Sequence, residues 1–171
     1  MSILIQRCDP ESADALVLVA ELSGALAAIT GDSGASSFAV ADARVPRSLF
    51  VLARDAQGQL LGCGALRPME GVVGAVGAVG ELKRMYARPG TSGVGSALLN
   101  HLEQAAREFA YAELWLETRR VNTRAVHFYL KHGYAQIDNY GKYVGRPEAI
   151  CLAKSVAAAS SQAASAACDF P

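Results

Sequence analysis

The hydrophobic positions of this chain recur with two different periods, and the changes between them outline its elements. Leu16, Leu22 and Leu26 recur at helical spacing within residues 12–29, and a second helical pattern follows the glycines that end at Gly95. Short apolar runs bounded by Gly, Pro, Asp or Asn predict strands. The predicted helices are residues 12–29, 95–109 and 122–133, and the predicted strands are residues 3–5, 49–53, 60–66, a stretch beginning at 81, 114–118, 134–137 and 149–154.

The order of these elements indicates the fold class. Strands that can pair as hairpins are combined with two strand–helix crossovers, so the chain is predicted to be α+β with a mixed central sheet. Residues 1–156 hold all of these elements and are predicted to form one domain, in which the Gly- and Val-rich stretch 71–80 is a hairpin connection. Residues 157–171 are rich in Ala and Ser and are expected to form a flexible tail.

Composition and charge exclude several classes of function. Lys plus Arg and Asp plus Glu both number 16, so the net charge is zero and nothing indicates nucleic acid or an acidic membrane as a partner. The chain shows no signal peptide and no uninterrupted apolar run near the ~20 residues of a membrane span. The four cysteines form no Cys-x-x-Cys pair, which argues against a disulfide framework or a zinc site and favours a reduced, cytoplasmic protein.

Residues 81–99 carry the main chemical signal. A strand that begins at Glu81 is followed by a proline, a glycine-rich turn and an apolar-periodic helix. Such a turn leaves backbone N–H groups free at the positive end of a helix, which suits a phosphate-bearing ligand. A nucleoside triphosphate site needs a lysine directly after Gly95, where Ser96 stands, and a dinucleotide site needs a third glycine where Leu98 stands. The pyrophosphate of coenzyme A fits better, although a plain strand–helix turn also explains this local pattern.

Two further segments make the pattern more specific. The turn is preceded by Glu81-Leu82-Lys83-Arg84-Met85-Tyr86-Ala87 and followed by Asn122…Phe128-Tyr129-Leu130-Lys131-His132-Gly133-Tyr134. Together with the turn, they resemble the GNAT superfamily of N-acetyltransferases, in which a strand, a pyrophosphate-binding turn and helix, and a Tyr-x-x-x-Gly-Phe/Tyr segment occur in this order. The resemblance is strongest over residues 80–134. It implies a mixed, mostly antiparallel sheet of about seven strands, flanked by helices on both faces.

The resemblance also implies a cosubstrate, acetyl-CoA, and no metal. Gly95 and Ala97 match the later positions of the family signature Gln/Arg-x-x-Gly-x-Gly/Ala, whereas Ser92 stands where Gln or Arg is expected. This departure puts the affinity for the cofactor in doubt more than its identity. Asn122 resembles a family asparagine that contacts the pantetheine arm, and a simple helix cap explains it at least as well. The implied cofactor-binding residues are Met85, Tyr86, Ala87, Ser92, Gly93, Val94, Gly95, Ser96, Ala97 and Asn122.

Glu81 and Tyr129 are the catalytic pair that the resemblance implies. Glu81 would take a proton from the acceptor ammonium, directly or through a water, and Tyr129 would give a proton to the departing thiolate. Each residue also has a structural explanation. Glu81 could be a solvated strand residue paired with Lys83 or Arg84, and Tyr129 could be a packed aromatic on the apolar face of its helix.

The acceptor is implied to be a primary amine of a small molecule or peptide that attacks the thioester directly in a ternary complex. In this family the acceptor site lies between the early helix–loop region and the late strands, here residues 29–38 and 140–143. These stretches hold Asp32, Ser33, Tyr140 and Tyr143. Two other classes stay open, a non-catalytic acyl-CoA-binding regulatory module of the same fold and a nucleotide-binding regulator. The sequence identifies neither the acceptor nor the oligomeric state, and a homodimer is compatible with it.

Overall fold

The structure is a computed structural model that describes residues 2–71, 75 and 77–157. The predicted tail and part of the predicted 71–80 connection lie outside this range. The helices are α1 (Ala13–Thr30), α2 (Val94–Glu108) and α3 (Thr123–Lys131), and short 3₁₀ turns cover Ala35–Ser37, Val40–Ala43 and Gly141–Tyr143. The strands are β1 (Leu4–Arg7), β2 (Leu49–Arg54), β3 (Leu60–Met69), β4 (Val79–Ala87), β5 (Glu113–Arg119), β6 (Ala135–Ile137) and β7 (Ala149–Ser155).

The strands form one sheet in the order β1-β2-β3-β4-β5-β7-β6, and every neighbouring pair is antiparallel except β4 with β5. Helices α2 and α3 cover one face, where Leu98, Leu102 and Leu114 are part of the main core. Helix α1 covers the other face, where Leu18 packs with Phe50 in a second core. The predicted fold class is therefore confirmed: an α+β chain with a mixed, mostly antiparallel, seven-stranded sheet and helices on both faces.

Local sequence fixes the ends of α1. Ser12 accepts a hydrogen bond from the third residue that follows it, and Gly31 ends the helix in the left-handed region with φ 76°. The helix also has the length and mean hydropathy that a membrane span needs, 1.7 over 18 residues. This apolar stretch is not uninterrupted, because Asp14 and Glu21 lie within it. In the fold, one side of α1 is buried against the sheet through Ala15, Leu18 and Leu22.

Strand β4 is irregular near its middle. Its pairing with β3 shifts register between Cys63 and Ala65, opposite Arg84, which has a φ of 53°. Such a bulge leaves an extra residue in one strand and bends it. On its other edge, β4 pairs with β5 only through the three positions that end at Glu81 and Trp115. Beyond these two residues the parallel strands part, and an opening forms at the centre of the sheet.

Candidate active site

Helix α2 begins directly after β4, beside this opening, and its first turn has free amides. Gly93 precedes the helix with a φ of 77°, and no side chain caps the helix. Among the described residues, the N–H groups of Val94, Gly95 and Ser96 find no acceptor. Four such donors are orphaned at the start of any α-helix, and anions satisfy them well. This geometry agrees with the predicted pyrophosphate turn.

The bare Cα of Gly95 lets α3 approach α2 closely. A Cβ at this position would lie 3.3 Å from the Phe128 ring. One turn later on α3, the His132 Nε2 atom lies 3.0 Å from the Ser96 Oγ atom, and its Nδ1 atom lies 2.7 Å from the Phe128 carbonyl oxygen. Because that carbonyl can only accept, Nδ1 carries the donated proton. The imidazole therefore connects α3 to the first turn of α2.

Two features of this region, free amides and a free strand edge, fit coenzyme A. The amides of residues 94–96 can meet a pyrophosphate, and Ser96 adds a hydroxyl to the same turn. The edge of β4 that carries Met85, Tyr86 and Ala87 has no strand partner on the β5 side. An extended amide-containing arm can pair with such an edge, because its backbone N–H and C=O groups are unused. Residues 85–87 and 94–96 thus offer unused backbone groups, and we call these two segments together the predicted cofactor path.

Glu81 is buried, with 1% of its surface exposed, and is surrounded by hydrogen-bond donors. Its Oε2 atom accepts from Arg67 Nε at 2.8 Å and Arg67 Nη2 at 2.6 Å. Its Oε1 atom accepts from the Tyr140 hydroxyl at 2.8 Å and lies 2.9 Å from Lys83 Nζ. The ion pair with Lys83 was anticipated as a structural explanation, but the residue is not solvated. Arg84, the other partner considered, forms no ion pair with it within the described chain.

Two tyrosines of the late segment complete this cluster, which consists of Arg67, Glu81, Lys83, Tyr140 and Tyr143. The Tyr143 hydroxyl accepts from Lys83 Nζ at 2.8 Å, and the two tyrosine rings contact each other edge to face. Burial raises the pKa of both phenols, and the Glu81 carboxylate adds to this effect. Both tyrosines therefore act as hydrogen-bonding groups that keep their protons at neutral pH.

Tyr129 lies on the opposite side of the sheet from Glu81. It packs in the main core beside Tyr134, at a ring distance of 5.6 Å, and is 7% exposed. Burial raises its pKa, and its hydroxyl donates to no group in the described part of the chain. The structure therefore does not join Tyr129 and Glu81 by a direct contact. The Tyr129 hydroxyl is thus a donor without a partner among the described residues, and its role as the acid stays a prediction.

Two adjoining cavities lie beside Glu81 and β5, and they share Ser36, Ser37, Lys142 and Tyr143 as walls. The larger cavity, of about 420 Å³, is lined by Glu81 and Tyr140. The smaller, of about 120 Å³, is lined by Asp32, Glu117 and Asn122. The two stretches predicted to hold the acceptor, 29–38 and 140–143, thus meet on one side of the sheet. We call the two cavities the acceptor cleft.

The remaining predicted acceptor and cofactor residues have local roles as well. Asp32 pairs with Arg119 at 3.1 Å and accepts from the Gly34 amide at 2.8 Å. Ser33 accepts from the Ala35 amide and lines neither cavity. Asn122 caps α3 by accepting from the Ala125 amide, as the cap explanation predicts, and it also lines the smaller cavity. Its contact with the pantetheine arm stays a prediction.

Sequence reasoning missed Glu117 and Arg67 as members of this region. Arg67 lies opposite Glu81 on the neighbouring strand, in a register that periodicity does not reveal. Glu117 follows three buried residues of β5, so a charged residue that interrupts an apolar strand was the available signal. No cluster of three or more potential metal ligands occurs among the described residues.

Comparisons with known proteins agree with this geometry. The chain is 32% identical over 111 residues to an IAA acetyltransferase of Azospirillum brasilense, covering 64% of this chain and 69% of the relative. It is 31% identical over 97 residues to an uncharacterized N-acetyltransferase of Schizosaccharomyces pombe, covering 56% of each chain.

Solved structures share the whole fold. A Klebsiella pneumoniae protein assigned to the acyl-CoA N-acyltransferases superposes with a TM-score of 0.72 at 25% identity, over 90% of this chain and 97% of the other. A GNAT acetyltransferase of Staphylococcus aureus gives 0.70 at 16% identity, over 91% and 99%. The family model of the acetyltransferase (GNAT) family matches residues 18–134, which include β4, the α2 turn and α3. The chain therefore belongs to the GNAT family of acetyltransferases.

Proposed function

We propose that this acetyltransferase moves the acetyl group of acetyl-CoA to a primary amine of a small molecule or peptide. The observation that carries the proposal is the opening between β4 and β5. Free amides of α2 lie on its cofactor side, and the carboxylates of Glu81 and Glu117 line the cavities on its other side. A donor and an acceptor can therefore approach one point from two directions, as a ternary complex requires.

Acetyl-CoA would be held by the residues of the predicted cofactor path. The first-turn amides of α2 and the Ser96 hydroxyl suit the pyrophosphate, and the free edge of β4 suits the pantetheine arm. The cosubstrate supplies a thioester, whose carbonyl carbon is open to attack by a neutral amine. Tyr129 supports the proposal because its hydroxyl has no partner in the described chain and lies in a helix that contacts the α2 turn.

Direct attack agrees with the state of the cysteines. Burial raises the pKa of the Cys63 thiol to about 12, and it also raises the pKa of Cys151. Neither is then a thiolate at neutral pH, which a nucleophilic cysteine must be. Cys8 follows β1, three strands away from β4 in the sheet. The free thiols of these three residues also support the reduced, cytoplasmic setting that we propose.

An amine acceptor agrees with the charge of the cleft. Carboxylates attract an ammonium group and can remove its proton, which an amine must lose before it attacks. The cleft offers two of them, Glu81 and Glu117. The assignment of the base to Glu81, made from the sequence, stays a prediction.

A thiol-release assay with acetyl-CoA tests the proposal. Ethanolamine, lysine, spermidine and an alanine dipeptide are suitable first acceptors, and calorimetry measures acetyl-CoA binding in parallel. We expect binding together with turnover on at least one amine. Binding without turnover on any amine would support the acyl-CoA-binding module instead. A melting temperature raised by ATP or NAD but not by coenzyme A would support a nucleotide-binding regulator.

A further inference from the structure

Glu117 lies on β5 just beyond the point where β5 leaves β4. The last residues that pair are Glu81 and Trp115, so Lys83 and Glu117 occupy the next matching positions on the two parting strands. Side chains two residues apart on a strand share a face. Glu117 therefore faces the acceptor cleft, while its neighbour Leu116 faces the main core.

The Glu117 carboxylate lacks a partner. Its Oε1 atom is buried without a hydrogen bond, and no ion pair reaches it from any residue that the structure describes. The next cation along β5, Arg119, is held by Asp32 at 3.1 Å and Glu148 at 3.2 Å. Lys83 is held by Glu81 and Tyr143. A poorly solvated carboxylate without a donor is unfavourable, and an incoming ammonium group would relieve this cost.

The surroundings of Glu117 also favour proton uptake. Burial is the largest influence and raises the pKa of its carboxyl, and the negative charge of Glu81 acts in the same direction. Lys83 on β4, Arg119 on β5 and Lys142 in the late 3₁₀ turn act in the opposite direction without cancelling the effect. A carboxylate that binds a proton more readily than usual is a better general base near neutral pH.

Glu81 is placed differently. Its two oxygens accept from Arg67, Lys83 and Tyr140, so three residues stabilise its negative charge. Both Glu81 oxygens are thus occupied by donors. Of the two carboxylates in the acceptor cleft, Glu117 is therefore the one with free oxygen lone pairs.

We propose that Glu117 binds the ammonium group of the acceptor and is the base that removes its proton. This role rests on the function proposed above. The N–H proton passes to a Glu117 oxygen, and the nitrogen lone pair attacks the thioester carbonyl carbon. The C–N bond forms as the C–S bond breaks, and the leaving thiolate takes a proton from Tyr129. The new N–H₂⁺ group returns a proton to the Tyr129 phenolate, directly or through a water, and Glu117 releases its proton to solvent, so the products are a neutral amide and a neutral thiol. Glu81 then acts as a positioning residue that holds Lys83 and Tyr140.

The test compares Glu117→Gln with Glu81→Gln, and uses Glu113→Gln as a control on the same strand and face. Ethanolamine or the best acceptor of the first panel is the probe, and kcat is measured against pH. We expect Glu117→Gln to lower kcat by about 100-fold and to abolish the acidic limb of the profile. Acetyl-CoA affinity, measured by calorimetry, should be unchanged in all three variants. Glu117→Asp, which keeps the carboxylate, should restore part of the rate.

An acidic limb that survives in Glu117→Gln but disappears in Glu81→Gln would overturn the proposal and return the base to Glu81. A wild-type protein that acetylates no amine would instead refute the proposed function, so the two failures are distinct. An NMR titration of the side-chain carboxyl carbons gives a readout without turnover. The Glu117 signal, identified by its loss in Glu117→Gln, should move when ethylammonium chloride is added. A response of Glu81 alone would count against the proposal.

Discussion

The Ser96 hydroxyl and the His132 Nε2 atom lie 3.0 Å apart, and this contact joins the end of α3 to the first turn of α2. The His132 ring is itself oriented by the Phe128 carbonyl. The contact lies at the first turn of α2, so we expect it to hold the predicted pyrophosphate turn in a shape ready for binding. Preorganised donors bind an anion more tightly than donors that must first be ordered.

Ser96→Ala and His132→Gln should each weaken acetyl-CoA binding. Loss of one hydrogen bond of about 1 kcal/mol corresponds to roughly a fivefold increase in Kd. Because the two side chains share a contact, the double variant should lose less than the sum of the single losses. Calorimetry with acetyl-CoA measures all three values. Strict additivity would show that the Ser96–His132 contact does not contribute.

Tyr129→Phe should lower kcat while the melting temperature stays close to that of the wild type. The Tyr129 hydroxyl makes no hydrogen bond within the described chain, so its removal costs little stability, whereas loss of a proton donor slows thiolate release by about 100-fold. The matched control is Tyr134→Phe, whose hydroxyl donates to Glu103 at 3.1 Å. That variant should lose stability and retain its turnover. An unaltered rate in Tyr129→Phe would leave Tyr129 with a packing role alone.

The Glu117→Gln variant should be more stable than the wild type at neutral pH. The folded state raises the pKa of the Glu117 carboxyl, so the folded protein binds this proton more tightly than the unfolded chain does. The free energy of unfolding therefore falls as pH rises from the pKa of an unfolded glutamate through the raised pKa of Glu117 in the folded state. Glutamine has no charge to bury, so it avoids this loss of stability. The advantage should shrink as pH falls below the pKa of an unfolded glutamate, where both states are protonated. Thermal melts from acid to neutral pH measure the gap, and a constant gap would contradict the prediction.

Glu81→Gln should instead destabilise the fold. Removal of the Glu81 charge leaves Arg67 and Lys83 without their central carboxylate, and breaking a buried ion pair in this way costs about 3 kcal/mol. Tyr140→Phe removes one hydrogen bond from the same carboxylate and should cost about 1 kcal/mol. Urea denaturation of both variants checks the order. Equal losses would mean that the charge of Glu81 adds nothing to the stability of the cluster.

Gly62→Ala should disturb β3 and β4, because a Cβ at this position would lie 2.3 Å from the Tyr86 carbonyl oxygen. That atom belongs to the backbone and cannot rotate away, so we expect a loss of about 3 kcal/mol. Gly24→Ala is the control, since no atom lies within 4 Å of its added Cβ in α1. It should stabilise the protein by about 0.5 kcal/mol, because alanine suits a helix interior better than glycine. Chemical denaturation resolves the difference in sign.

The sequence predicted the fold well because its signals are local. A helical period, such as that of Leu16, Leu22 and Leu26, is visible over a few residues, and the glycines before α2 are an equally local signal. Helices α1 and α2 therefore begin and end within one residue of their predicted limits. The resemblance to a known family supplied what periodicity lacks, a mixed, mostly antiparallel sheet of about seven strands with helices on both faces, whereas the order of the strands came only from the structure. The 3₁₀ turn at Val40–Ala43 was left unassigned because its sequence favours neither helix nor strand.

The site was harder to predict because its members meet through register. Arg67 becomes a partner of Glu81 only when β3 and β4 align, and Tyr140 approaches from a turn 59 residues later. Glu117 faces the cleft because β4 and β5 stop pairing just before it, and no residue type in the sequence indicates where that pairing stops. A sequence can show that a glutamate interrupts an apolar strand, but the lack of a partner for it is a property of the assembled sheet.

Arg84 has a left-handed backbone, and it shifts the alternation of side chains along β4 by one residue. Before it, the even-numbered Leu82 points into the core under α2. After it, the odd-numbered Met85 and Ala87 pack against that core, while Tyr86 packs on the α1 side. Deleting Arg84 would restore a single alternation and leave every downstream side chain on its present face. The bulge therefore lets β4 hold one residue more than its partner β3 and still keep its two ends in register with the same two cores.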